Sequence, residues 1–262
     1  MGSKDSSKTR VAPTFDFLLQ ADPSGNSWLD RLLALGSRPQ SVTSLTKGQR
    51  LIAGHDRRWG TDERGLPSPL ALLEHLVRNL DPALVAKSSD TGTSLLKRRA
   101  LGASDPRAIG DAIGQLRAGK RGRRWFVLEG ESRPDALLET ENLVVCIEGK
   151  RTEATCTSTT TWMKCRSQLL RHMDAATDQF RSKRVVGLLI VEGDGDAVAM
   201  HPSEHWKAEC AAQYAPSMLA DSLPHRTSEE RTIIGENILG VTTWQAVCAT
   251  FDIPWPPAPD IL

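Results

Sequence analysis

Asp135, Glu148 and Lys150 are the residues whose types and spacing best suit chemistry. They belong to the run from Arg133 to Lys150, in which two largely apolar stretches flank a polar Glu141-Asn142 pair. A two-residue hairpin turn at that pair sets Thr140 opposite Leu143. The same register brings Asp135 opposite Glu148, with Cβ atoms about 5 Å apart. Lys150, two residues further, projects from the same face. Like charges directly opposed across a strand pair destabilise a sheet. A bound divalent cation reverses that cost, and hard oxygen ligands suit Mg²⁺ or Mn²⁺. An adjacent ammonium can orient an attacking water or stabilise charge developing on a phosphoryl group.

Pro134-Asp135, followed by Glu148-Gly149-Lys150 closing the apolar run Val144, Val145, Cys146, Ile147, resembles the PD-(D/E)xK motif of the restriction-endonuclease-like nuclease superfamily. The expected element order is similar too: a helix over 104–118, strands over 125–128, 135–140 and 143–150, a helix over 162–180, and a strand over 185–191. This resembles the family's αβββαβ core and covers residues 104–192, about a third of the chain. The resemblance implies a Mg²⁺-dependent (or Mn²⁺-dependent) endonuclease that hydrolyses phosphodiester bonds, with DNA as the expected substrate. By that likeness Asp135 and Glu148 bind the metal, the Gly149 carbonyl adds a ligand, and Lys150 positions the water. Many members add an acid from the helix ahead of the strands. Glu74 and Asp111 are the candidates here, and the sequence does not choose between them. Gln168, with His172 one turn on, resembles a glutamine that recurs on the helix after the third strand; a surface glutamine on an Arg-rich helix fits equally well. Glu129, Glu131 and Glu139 are further acids within reach, although solvated strand ends are the plainer reading. Glycine between Glu148 and Lys150 departs from the apolar residue more usual there.

The elements that must position these groups can be read from periodicity and caps. Ser27 is expected to cap a short helix carrying Trp28, Leu29, Leu32 and Leu33, which stops at Gly36. Ser68-Pro69 and Ser104-Asp105-Pro106 are N-cap and N1-proline signals. The β-branched run 185–191 has the character of a strand covered on both faces. Helices are expected over 203–214, after the Thr227/Glu230 capping box, and over 242–251. Pro254, Pro256, Pro257 and Pro259 suit an extended strap pinned by Trp255. The expected organisation is a disordered start (1–12), a helical N-terminal region (13–103), the nuclease-like core (104–192), and a helical C-terminal extension with a Pro-rich tail (193–262). The fold class is α/β.

Composition narrows the function classes. The 262 residues suffice for a large hydrophobic core. Residues 1–125 hold 21 Lys+Arg and 12 Asp+Glu, whereas 126–262 hold 12 and 20. A basic half joined to an acidic half suits a polyanionic partner beside metal-binding carboxylates, or simply two solvated surfaces of opposite sign. The basic clusters at 97–99 and 120–124 are candidates for contact with nucleic-acid phosphates. No apolar run approaches the roughly 18 residues of a membrane helix, and no secretory h-region follows Met1. Five cysteines without a CxxC pair read as reduced thiols of a cytoplasmic protein.

Other signals fail on context. Gly114 to Arg121 nearly spells a phosphate-binding loop, but it lacks the Ser/Thr for Mg²⁺ and ends a helix rather than opening one. His201 and His205 have i,i+4 spacing, yet Pro202-Ser203 marks a helix start and no second ligand pair completes a zinc site. No Gly-x-Ser-x-Gly elbow is present, and Asp194-Gly195-Asp196 lacks the remainder of a calcium loop. Two functions follow as expectations. One is a metal-dependent nuclease, with a homodimer or partner subunit compatible with double-strand cleavage. The other is a nuclease-fold scaffold or nucleic-acid-binding subunit of a DNA-processing or defence complex, with cleavage weak or absent.

Overall fold

A computed structural model describes residues 7–38, 49–52, 64–122, 124–193 and 200–257. Four strands form one mixed sheet in chain order: β1 (Ala136–Glu139), β2 (Leu143–Lys150), β3 (Arg184–Val191) and β4 (Ile238–Thr243). β1 and β2 are antiparallel, and β3 and β4 each add in parallel. The expected register is observed: Ala136 faces Ile147, and Glu139 faces Val144. At the turn, Thr140 N donates to Leu143 O at 2.8 Å and Leu143 N to Thr140 Oγ1 at 3.0 Å.

A parallel pair needs a crossover between its strands. Between β2 and β3 this is a polar loop (151–167) followed by a helix over Gln168–Gln179. That helix is shorter than the expected 162–180. Ser167 caps it by accepting from Leu170 N, while Arg166 N and Gln168 N bond back to Ser158 O and Thr157 O. Residues 162–167 therefore close the loop instead of opening the helix.

Both faces of the sheet are covered, which is why β2 and β3 lack polar alternation. One face presents Ala136, Leu138, Val145, Ile147, Val186, Leu188 and Ile190 to Val11 and Phe15 near the N-terminus, to Leu29 and Leu32, and to Trp244 and Val247. The other presents Leu137, Val144, Cys146 and Leu189 to Leu169, Leu170 and Met173, with Trp206, Leu219 and Ile234 behind. A third cluster packs the helices Leu70–Arg78 and Pro106–Arg117 with Phe126, Leu128 and Met163. All five thiols are free, and burial pushes those of Cys156 and Cys210 up to about 12.

Several expectations change. Residues 125–128 form no strand: Phe126 and Leu128 are buried in the helical cluster, with Trp125 edge-on to Phe126. The sheet therefore lacks the first strand of an αβββαβ core, and an α/β fold with a four-stranded mixed sheet is what the chain adopts. Residues 1–6 lie outside the described residues, but Ser7–Val11 is helical and leads into Ala12–Ala21, with Val11 wholly buried. A disordered start does not extend to residue 12. Residues 242–251 were expected to be one helix. Instead Ile238–Thr243 is a strand, and Thr243 caps a helix over Trp244–Thr250 by accepting from Ala246 N at 3.0 Å. The C-terminal extension thus contributes a strand to the main sheet. Ser68 caps nothing; its hydroxyl donates to Gly130 O at 2.7 Å, and Pro69 holds the N-cap position. Asp105, not Ser104, caps Pro106–Arg117. The capping box at Thr227 and Glu230 forms as expected. Ser203 likewise caps Glu204–Gln213, and His205 there bonds Ala154 O at 2.6 Å.

A second buried polar centre ties the crossover helix to its neighbours. Arg166, 1% exposed, donates to both Glu129 oxygens at 2.7 and 2.9 Å, to Asp174 Oδ2 at 2.9 Å and to Ser222 O at 2.7 Å. His225 and Arg226 bond Asp174 Oδ1 at 3.1 and 2.8 Å. Burial alone would raise the Asp174 carboxyl, but the His225 hydrogen bond and the charges of Arg166 and Arg226 hold it well below its ordinary 3.8. A depressed carboxyl stabilises the fold above the unfolded-state value and loses that contribution as the pH falls below it. Urea denaturation is therefore expected to show stability declining from just above pH 4 downward. The Asp174→Asn variant should have a visibly shallower decline; an identical acid profile would contradict the assignment.

Candidate functional site

The site is built where β1 begins and β2 ends. Asp135 precedes β1 directly, and its Oδ2 accepts from Gly149 N at 2.7 Å, so the hairpin backbone itself orients this carboxylate. Glu148 and Lys150 point from one face of β2, as strand alternation requires. Lys150 Nζ donates to Glu148 Oε1 at 2.8 Å and to Gln168 Oε1 at 3.1 Å. Gln168 is the first residue of the crossover helix, which therefore meets the site with its N-terminal turn. One turn on, His172 Nε2 lies 2.8 Å from Glu148 Oε2, and His172 Nδ1 lies 2.7 Å from Ser132 Oγ. Asp135, Glu148 and Lys150 are 9%, 2% and 5% exposed.

Burial works against the Lys150 charge, but the attraction and hydrogen bond of Glu148, with Glu153 and Asp135 beyond, hold its ammonium above the ordinary lysine value. Low local polarity strengthens each of these interactions relative to water. The rim is stapled from several sides. Trp244 Nε1 and Glu192 N donate to Lys150 O at 3.2 and 2.9 Å. Arg10 grips both Glu192 oxygens at 2.9 Å and lies 4.7 Å over the Trp255 ring.

Gly149 acquires a reason here. A Cβ at this position would come 2.8 Å from Trp244 Cζ2 and 3.1 Å from Val11 Cγ2. Both neighbours are fully buried, so neither can swing aside. Gly149→Ala is expected to cost about 1–3 kcal/mol, as overpacked cores do. Chemical denaturation measures this directly, and an unchanged midpoint would contradict the packing argument.

Of the expected residues, the structure brings together Asp135, Glu148, Gly149, Lys150 and Gln168. Glu74 lies elsewhere: Arg117 and Arg78 hold it at 2.7–3.1 Å and lower its carboxyl, first through the Arg117 hydrogen bond. Asp111 accepts from Gln115 within its own helix. Neither joins the site's hydrogen-bond network. Glu129 belongs to Arg166, Glu131 pairs with Arg133 at 3.1 Å, and Glu139 pairs with Lys183 and Arg64 at 2.8 and 3.0 Å. Ser132 is a site residue that sequence reasoning missed. Its position three residues before Asp135 was the only available signal. At 1% exposure, and paired through both backbone groups with Leu66, Ser132 is no accessible nucleophile, which excludes a serine-hydrolase triad with His172 and Glu148.

The donor set can be tested against a metal. Among the described residues no group of three or more His, Cys, Asp and Glu is arranged to hold one, so the site offers two carboxylates and main-chain carbonyls. That fits Mg²⁺, which is commonly bound through one or two carboxylates with waters and substrate phosphates. Among the described residues each Glu148 oxygen carries one protein hydrogen bond, whereas an ionised carboxylate has about four acceptor sites. Beside the 129–133 segment lies a cavity of about 460 Å³, lined by Ser68, Arg121, Glu131 and Arg133 among others. No helix among the described residues is long and apolar enough to cross a membrane.

Comparison of the chain with models of known families, with curated proteins and with solved structures returned no match in any of the three.

Proposed function

We propose that this protein is a metal-dependent nuclease that hydrolyses phosphodiester bonds, with DNA as its substrate. The observation that carries this reading is the convergence of two carboxylates, an ammonium and an amide at one end of a largely apolar sheet. Asp135 and Glu148, with the Gly149 carbonyl, would hold Mg²⁺ or Mn²⁺. The ion supplies Lewis acidity and a bound water of lowered pKa. Lys150 directs the attacking water and offsets charge building on the phosphoryl oxygens. Gln168 keeps the Lys150 ammonium in place from the far side, at 3.1 Å. Arg121 and Arg133 line the cavity beside the 129–133 segment, where they would meet backbone phosphates without reading sequence.

The test is incubation of plasmid and single-stranded DNA with the purified protein and Mg²⁺ or Mn²⁺, beside EDTA and a Lys150→Ala control. Metal-dependent cutting that disappears in the variant supports the assignment. A folded protein that cuts no nucleic acid would instead favour a scaffold or nucleic-acid-binding subunit. Cutting that survives the substitution would place the site elsewhere.

A further inference from the structure

We propose that His172 is a positioning residue for Glu148, with its tautomer set by Ser132; this rests on the reading that Asp135 and Glu148 hold a divalent cation. Ser132, His172 and Glu148 form a continuous chain, Oγ to Nδ1 at 2.7 Å and Nε2 to Oε2 at 2.8 Å. All three residues are no more than 2% exposed, so water does not compete for these bonds. An ionised carboxylate can only accept, so His172 Nε2 carries the proton in the second bond. In the neutral ring Nδ1 is then the acceptor, and the Ser132 hydroxyl donates to it. This assignment uses every proton.

The consequence concerns charge as well as geometry. Lys150 already neutralises part of Glu148 through Oε1. The ring N–H at Oε2 fixes the carboxylate plane. The two donors approach different oxygens and come from different elements, β2 and the crossover helix, so the carboxylate cannot rotate without breaking one bond. Outer-shell partners of this kind typically change metal affinity or activity by about 10–100-fold. Ser132 is itself immobile, because its N–H and C=O both bond Leu66 at 2.8 Å. The chain therefore transmits the rigidity of the 66/132 bridge to the ligand.

The experiment is a calorimetric Mn²⁺ titration of wild type, Ser132→Ala, His172→Leu and His172→Gln, with thermal melting in EDTA as the fold control. Ser132→Ala keeps the ring and nearly all the volume, so it remains informative if His172→Leu fails to fold. The expected result is Mn²⁺ binding weakened by about tenfold or more in His172→Leu. A smaller loss is expected in Ser132→Ala. His172→Gln should recover affinity, because its amide N–H can take the place of Nε2–H. In cleavage assays the defect should be relieved by excess Mn²⁺. Unchanged binding in both His172→Leu and Ser132→Ala would overturn the positioning role while leaving the metal site standing. His172→Gln as weak as His172→Leu would reduce His172 to packing. Wild type that binds no Mn²⁺ would overturn the metal reading itself, and this inference with it.

Discussion

On the proposed nuclease reading, Lys150→Ala is expected to lose metal-dependent DNA cleavage by about 10²–10³-fold, the usual effect of deleting one preorganised group that stabilises transition-state charge. Lys150 is 5% exposed and bonds both Glu148 and Gln168, so its ammonium arrives at the reaction already oriented. Glu148 keeps its His172 hydrogen bond at 2.8 Å but loses the cation on its other oxygen, so a lowered melting temperature is expected beside the catalytic loss. Single-turnover cleavage rates with saturating Mn²⁺, beside melting curves of the same preparations, separate the two effects. A variant that melts normally and cuts within a factor of a few of wild type would remove Lys150 from the chemistry. Lys150→Arg should not rescue, since a guanidinium is bulkier and forked where the site presents two single acceptors.

Arg166→Met will destabilise the protein by about 3–5 kcal/mol, the cost of leaving a buried carboxylate without its partner. Arg166 is the hub of the second polar centre, and its side chain and those of Glu129 and Asp174 are all but inaccessible to water. Asp174 would retain His225 and Arg226. Glu129 would keep a long hydrogen bond from Ser68 Oγ at 3.5 Å and an approach from Arg171 at 3.7 Å. Adding Glu129→Gln to Arg166→Met should recover part of the loss, because the orphaned charge is then gone. Urea unfolding of the three proteins measures both terms. A loss below about 1 kcal/mol for Arg166→Met would mean that the charges had escaped to water, in contradiction of their burial.

Local rules carried the sequence reading a long way. The Glu141-Asn142 turn and the two-residue side-chain period are short-range properties. They placed Asp135 against Glu148 and fixed the pairing of Ala136 with Ile147. The apolar runs 143–147 and 185–191 identified sandwiched strands, and Thr227 with Glu230 identified a helix start. The failures share one cause. Residues 125–128 look like a strand by composition, but Phe126 and Leu128 are apolar because a helical cluster needs them. Residues 242 and 243 look like the start of a helix until β3 is beside them to pair with, and 238–241 carried no strand expectation. Short apolar stretches do not carry the identity of their partner.

By itself, the sequence determined the hairpin, its register and hence the carboxylate pair with its lysine, because turn geometry and strand alternation act within a few residues. Tertiary structure alone decided what surrounds them. It brought Gln168 and His172 onto Lys150 and Glu148 across the crossover, and it assigned Ser132 to the ring. It also sent Glu74 and Asp111 into the helical layer and closed Trp244 over Gly149. Apart from the Asp111–Gln115 bond within one helix, those contacts join residues 18 to 95 positions apart, and such pairings are set by which apolar faces cover one another, a property of the whole packed chain.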